Sequence, residues 1–257
     1  MTKKPIGALL LHGFSAKPNS LGNLAHHIET LGLPYRAPTL RGHGEDTPNA
    51  LLGVAWTDWI ADAEGAMSAL LEETEKVTII GHSTGGMIAL FLAAEHQDVI
   101  DSIIDAAGST KGNSPFAPGE PLNFLAQLIP IIKKKYDMPP VFTDPDYVRT
   151  DTGYAWVPTI AWRQVFEIIK ETRKRLPKVS VPTLILHSKK DSVNAPQGAQ
   201  ILYDSIATPI DQKQLVWFEK TEHAMFLDCE EKEVNRTVVE YLQGRIAQSQ
   251  RGVTLET

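Results

Sequence analysis

Residues 76–86 read KVTIIGHSTGG, an apolar β-branched run ending in a serine set between glycines. Val77–Ile80 has the composition of a buried strand, and Met87–Ala94, apolar on every side, that of a buried helix. A strand that reverses into a helix over so few residues needs a sharp turn, which forces an unfavourable backbone conformation on the residue at its apex. The neighbours of that residue must then be small, and Gly81 and Gly85, two positions either side of Ser83, meet the need. Gly86 lets the following helix pack closely on the sheet. The turn also lifts Ser83 to the helix N-terminus, where backbone N–H groups and the helix dipole favour negative charge. Glycines alone make an ordinary turn. The serine reads as a nucleophile if the chain supplies a base and an acid.

A serine hydroxyl is a weak nucleophile until a base takes its proton and an acid orients the base. Behind a strand–turn–helix elbow the chain order is serine, acid, histidine, with the last two on loops after later strands. Of the eight histidines, His223 alone lies both downstream of the acid candidates and on a loop after a strand, in QLVWFEKTEHAMFLD. His26 and His27 fall in a helix, His96 near a helix end, His187 at a strand end and His82 within the elbow. His12 and His43 sit in glycine-flanked turns upstream of the serine. For the acid, Asp191 follows VPTLILHSKK at a strand mouth, in a loop ended by Pro196. Asp204 and Asp211 lie in or just after a surface helix, and Asp228 reads as the cap of the closing helix, in DCEE. Asp191 is expected to accept His223 Nδ1–H, which leaves Nε2 for Ser83. The oxyanion of an acyl-transfer intermediate needs donors already in place. Thr84 N–H is one candidate; Phe14 N–H, in the LLLHGFS turn shaped by His12 and Gly13, is the other.

The 257 residues suffice for one substantial core, and 42% hydrophobic with 22% charged residues is ordinary for a globular protein. A net charge of −6 argues against a dedicated nucleic-acid binder. The clusters Lys133-Lys134-Lys135 and Arg173-Lys174-Arg175 read as solvated helix faces or ends. A single cysteine, Cys229, excludes an intramolecular disulfide and fits a reducing compartment. The apolar run after Lys3 and Lys4 is shorter than a signal-peptide core of roughly 7–15 residues. No stretch approaches the roughly 20 apolar residues that span a bilayer. The expectation is a soluble cytoplasmic protein without stable membrane insertion, monomeric or homodimeric.

Short apolar runs (Ile6–Leu11, Tyr35–Ala37, Val77–Ile80, Val99–Ala107, Val181–Leu186, Gln214–Phe218) alternate with helical segments at Asn19–Leu31 and Trp56–Leu71, and from Asp228 to about Ile246. That alternation predicts a mainly parallel sheet with helices on both faces, and a frayed polar tail after Ala247. From Thr110 to Arg175 the rhythm breaks: far more chain separates two consecutive strands than one crossover helix needs. The segment holds LNFLAQLIPIIK and, after DMPP and TDPD, an amphipathic stretch from Thr159 to Leu176. It reads as an inserted helical cap over residues 110–175, on a core formed by 1–109 and 176–257.

With these features the chain resembles the α/β-hydrolases, and among them the compact bacterial carboxylesterases and monoacylglycerol lipases. The resemblance lies in LLLHGF, LRGHGEDTP, GHSTGG, VPTLILHSKKDSVNAP and TEHAMFLD, in family order over nearly the whole chain. The cap matches only in placement and length. Two departures stand out: the N-terminal strands common in larger members, ahead of the strand that leads to His12, are missing or reduced, and Thr84 stands where many relatives carry methionine, leucine or glutamine. The resemblance implies hydrolysis of small-molecule carboxylic esters, with short- to medium-chain acyl groups or as monoacylglycerols, through an acyl-enzyme on Ser83, with no metal or organic cofactor. The same triad could instead cleave a carbon–carbon bond, a lactone or an amide, or the fold could serve as a small-molecule receptor. Phe124, Leu125, Leu128, Ile129, Ile131, Trp156 and Trp162 are expected to divide between an acyl-chain pocket and a small core within the cap.

Overall fold

The computed structural model of the chain describes residues 3–108, 110–139, 141–144 and 153–255, with side chains as far as residue 250. Strands β1 (Lys4–Leu11), β2 (Tyr35–Arg36), β3 (Thr74–His82) and β4 (Ile100–Ala106) lie in one sheet. A short antiparallel pair, β5 (Lys135–Asp137) and β6 (Trp156–Pro158), stands apart from it. The sheet is completed by β7 (Thr183–Ser188) and β8 (Lys213–Phe218), in the order β2-β1-β3-β4-β7-β8. Every neighbouring pair in it is parallel. All strand C-termini therefore meet along one edge, where open α/β sheets bind their ligands.

The sheet is buried on both faces, and side-chain alternation decides which residue goes where. In β1, Leu9 and Leu11 enter one core cluster, while Ala8 and Leu10 enter the other. The first cluster is closed by α2 (Trp56–Leu71) and α3 (Thr84–Glu95), the second by α1 (Leu24–Thr30) and, later in the chain, by Val234, Val238 and Leu242. Helix α3 is buried from Thr84 to Ala94, which accounts for a segment with no polar face.

Four expectations need correction. The helix expected over Asn19–Leu31 is interrupted at Gly22, with a 3-10 turn at Pro18–Leu21 before it and α1 after it. Gly22 has φ 58, and a Cβ there would lie 2.5 Å from Phe226 O, so both its backbone conformation and its surroundings require glycine. Among its described residues, the insert is not a set of full helices. It has a 3-10 turn at Asn123–Leu125, the four-residue α4 (Ile129–Ile132), the β5–β6 pair and one long helix, α5 (Trp162–Arg175). Pro121, Pro130 and Pro139 remove helical N–H donors at short intervals and keep the first half of the insert broken. Helix α5 buries Val165, Ile168, Ile169 and Thr172, one face at helical spacing. Its apolar members join the same cluster as α3. Residues 140 and 145–152 of the expected cap, and residue 109 just before it, lie outside the described residues.

After α6 (Pro196–Ser205), the closing helix α7 spans Glu231–Leu255, starting later and ending later than expected. No proline follows Pro209, so nothing in the polar tail stops the helix, and Arg245 reaches Gln248 one turn on. Asp228 does not act as the expected cap. Its carboxylate accepts from Glu222 N–H and Thr143 N–H instead, and only its carbonyl meets Glu231 N–H.

Candidate active site

The elbow is as tight as its glycines require. Ser83 has φ 54 and ψ −115, and its N–H donates to Ala106 O at 2.8 Å. A Cβ on Gly81 would lie 2.2 Å from Gly85 O, and one on Gly85 would lie 2.3 Å from Leu11 O. Both obstacles are backbone, so neither position has room for a side chain. This strain presents Ser83 at the carboxyl edge, at the start of α3.

Two loops from later strands complete the arrangement. His223 Nε2 lies 3.0 Å from Ser83 Oγ, and His223 Nδ1 lies 2.8 Å from Asp191 Oδ2. A carboxylate can only accept, so Nδ1–H donates to it and Nε2 is left to accept the serine proton. Asp191 Oδ1 takes Val193 N–H at 2.9 Å and Asn194 N–H at 2.8 Å, which fixes the carboxylate plane. Burial opposes ionisation of Asp191, but the His223 imidazole and the Asn194 N–H outweigh it and hold the carboxyl below its ordinary value. Burial also works against a charged His223. The Asp191 carboxylate overcomes it and raises the imidazole above its ordinary value. Asp204, Asp211 and Asp228 make no contact of this kind with His223.

The turn after β1 lies against Ser83: a Cβ on Gly13 would be 3.2 Å from Ser83 Cβ. His12 shapes this turn, with Nδ1 2.9 Å from Gly13 O and Nε2 accepting Leu40 N–H at 3.1 Å. Burial and the neighbouring His43 push its pKa down to about 3, so the ring stays neutral and can accept at Nε2. Phe14 and Thr84 line one cavity with Ser83 and His223.

That cavity has a volume of about 1080 Å³ and is walled mainly by the insert, including Ile129, Tyr136, Trp162, Phe166 and Ile169. The Phe14 and Trp162 rings meet there at 4.9 Å between centroids. Of the apolar cap residues expected to form a pocket, Ile129 and Trp162 do line it. Phe124, Leu128 and Ile131 are instead exposed, because the broken helices around them offer no opposing face.

Several residues at the site carried no sequence signal. His82 Nε2–H donates to His223 O at 2.8 Å, so the elbow itself supports the backbone of the opposite loop. Burial lowers the His82 pKa to about 4, which keeps that ring neutral as well. His187 is fully buried with Nε2 3.7 Å from Asp191 Oδ2, and its strand-end position alone could not reveal this. Thr143 and Tyr154, in the insert, bond to loops on either side of the serine. Only the site's own geometry identifies them.

A parallel sheet whose carboxyl edge joins a strained serine elbow to a histidine and an aspartate from later loops defines an α/β-hydrolase. Within that class, the chain belongs to the family described as serine aminopeptidase, S33 (Hydrolase_4), which it matches over residues 5–230. It is 27% identical over 246 residues to the thermostable monoacylglycerol lipase of Bacillus sp. (strain H-257), covering 92% of this chain and 90% of that protein. It is 24% identical over 237 residues to a carboxylesterase of Bacillus subtilis (strain 168), covering 91% of each. A solved structure of the metagenome-derived lipolytic enzymes LipS and LipT superposes with a TM-score of 0.84 at 24% identity, covering 95% of both chains. This last likeness is one of fold.

Proposed function

We propose that this protein is a serine hydrolase that cleaves carboxylic esters, with short- to medium-chain acyl groups or as monoacylglycerols, through an acyl-enzyme on Ser83. The observation that carries the reading is the continuous path from Asp191 Oδ2 through His223 to Ser83 Oγ, with gaps of 2.8 and 3.0 Å. Both are within hydrogen-bond reach of a working nucleophile and base. The carboxylesterase and monoacylglycerol lipase relatives, matched over nine-tenths of their length, support the same chemistry.

In this reading Ser83 Oγ attacks the ester carbonyl carbon as its proton passes to His223 Nε2. The carbonyl π electrons move onto oxygen, and the Phe14 and Thr84 N–H groups donate to that oxyanion. Asp191 stabilises the imidazolium. Collapse of the intermediate breaks the bond to the alcohol oxygen, which takes the proton from Nε2 and departs. A water, deprotonated by the same imidazole, attacks the acyl-enzyme; a second collapse releases the acid and returns the proton to Ser83. The steps need no group beyond these residues and water. The insert serves as a cap, and its apolar wall over Ser83 receives the acyl chain. Among the described residues no helix is long and apolar enough to cross a membrane. The lone cysteine, Cys229, is exposed and free, which supports a cytoplasmic setting. In this reading the protein acts on a small-molecule ester as a monomer or homodimer.

Turnover of p-nitrophenyl butyrate, with and without a serine-directed phosphonate, tests the reading. The expected result is hydrolysis that stops on stoichiometric labelling of Ser83 and is absent in Ser83→Ala and His223→Ala. A folded protein that takes the phosphonate but never turns over an ester would refute it.

A further inference from the structure

The insert touches more than the cavity. Its two described flanks, residues 141–144 and 153–154, reach the two loops that face Ser83 from opposite sides.

On the histidine side, Ala224 N–H donates to Val141 O at 3.0 Å. Glu222 N–H donates to Asp228 Oδ2 at 2.6 Å, and that oxygen also receives Thr143: Oγ1 lies 2.7 Å away and the Thr143 N–H 3.1 Å. Thr143 Oγ1 is also 3.0 Å from Lys220 O. The residues before and after His223 are thus both tied to the insert, one directly and one through a buried carboxylate. On the other side, Tyr154 N–H donates to Ser15 O at 2.8 Å, next to Phe14. Ser15 is itself held at φ 64. A Cβ on Gly153 would lie 2.6 Å from Ser15 O, so the two backbones are in full contact. The Tyr154 hydroxyl extends the grip, donating to Gly42 O at 3.0 Å and accepting Glu45 N–H at 3.0 Å.

We infer that the insert positions the catalytic imidazole and the oxyanion loop, with Thr143 and Tyr154 as positioning residues, in addition to walling the cavity. The inference rests on the ester-hydrolase reading above. Loops at a sheet edge are the mobile parts of a fold, and a reacting group displaced by about 1 Å can cost on the order of 10²-fold in rate. Hydrogen bonds on both flanks of His223 suppress that displacement. Removing them therefore slows the chemical step even for a substrate too short to need the cavity walls.

The test uses p-nitrophenyl acetate, whose acyl group is minimal. Thr143→Val keeps the shape and the backbone N–H but loses the hydroxyl. Its kcat should fall about tenfold or more, with KM within about twofold and an unchanged melting temperature, and Thr143→Ser should restore it. The low-field proton resonance of the His223–Asp191 hydrogen bond should broaden or shift in Thr143→Val and return in Thr143→Ser. Tyr154→Phe keeps the N–H bond to Ser15 O but frees the ring from Gly42 O and Glu45 N–H, so the anchor of the oxyanion loop loosens. It should show the same split between kcat and KM, and it decides the matter if Thr143→Val does not fold. Wild-type kcat on the acetate ester in the folded variants would overturn the inference. So would a loss confined to KM for long-chain esters, since the insert would then be a wall only. Turnover by the wild type is scored separately and tests the hydrolase reading, while the proton resonance tests the positioning whether or not an ester is cleaved.

Discussion

Asp105 offers a sharp test of the electrostatics beneath the elbow. It sits in β4 beside Gly81 of β3 and has no exposed surface. Neither carboxyl oxygen has a hydrogen-bond partner among the described residues. The side chain occupies space left by two glycines: a Cβ on Gly86 would lie 1.8 Å from Oδ1, and one on Gly108 would lie 1.9 Å from it. Burial raises its pKa from 3.8 to about 8, so in the fold it is a neutral acid over most of the working range. The sign follows from proton linkage. Between the two values the native state holds a proton that the unfolded chain has lost, so stability falls as pH rises through that window. Asp105→Asn has the same shape and cannot ionise. From about pH 5 to about pH 8 the wild type should lose, relative to the variant, about 1.4 kcal/mol per pH unit, or about 4 kcal/mol in all. For a chain of this size that is about 10 °C in melting temperature. Thermal unfolding by circular dichroism, at constant ionic strength across that range, reads the difference directly. The unpaired amide of the variant costs the same at every pH and cancels. Melting curves for wild type and variant that run parallel with pH would refute the reasoning, because Asp105 would then be ionised or solvated in the fold.

Other consequences can be checked with simple assays. Because Asp191 raises His223, and only the neutral imidazole can take the serine proton, kcat/KM should fall with acid about a midpoint above the ordinary imidazole value of about 6.5. Asp191→Asn should move that midpoint down and lower kcat by up to on the order of 10⁴; full activity in the variant would remove Asp191 from the triad. Gly85→Ala drives a Cβ to within 2.3 Å of Leu11 O and should cost about 1–3 kcal/mol or more in a urea titration, with turnover lost. An unchanged midpoint would mean that the elbow has slack. Phe166→Ala enlarges the cavity and should move the optimum in a C2 to C16 ester series toward longer chains, while an unmoved optimum would show that α5 does not meet the acyl group.

How legible all this was depends on the range of the interactions involved. The KVTII run, the glycines of GHSTGG and the apolar Met87–Ala94 segment act on near neighbours, and β3, the elbow and α3 appear where their pattern placed them. The Asn19–Leu31 helix is broken at Gly22, whose backbone turns to φ 58 and packs so closely on Phe226 O, about two hundred residues away in sequence, that no side chain would fit. Asp228 looked like a helix cap because DCEE has a cap's local pattern. Its carboxylate is taken by Thr143 and Glu222, which no local pattern could announce.

What the sequence by itself determined is the alternation of buried strands and helices, and with it a parallel sheet with one reactive edge. It also carried a serine that only glycine neighbours could accommodate there, and the order along the chain of the aspartate and histidine proposed as its acid and base. These follow from steric and hydrophobic rules that act over a few residues. Tertiary structure alone decided that His82 holds the backbone of His223, that the Asp105 carboxyl is buried under the elbow without a partner among the described residues, and that the insert grips the loops on both sides of Ser83. Each depends on where loops from different strands meet in a desolvated space, and there burial and a single well-placed partner outweigh anything the local pattern encodes.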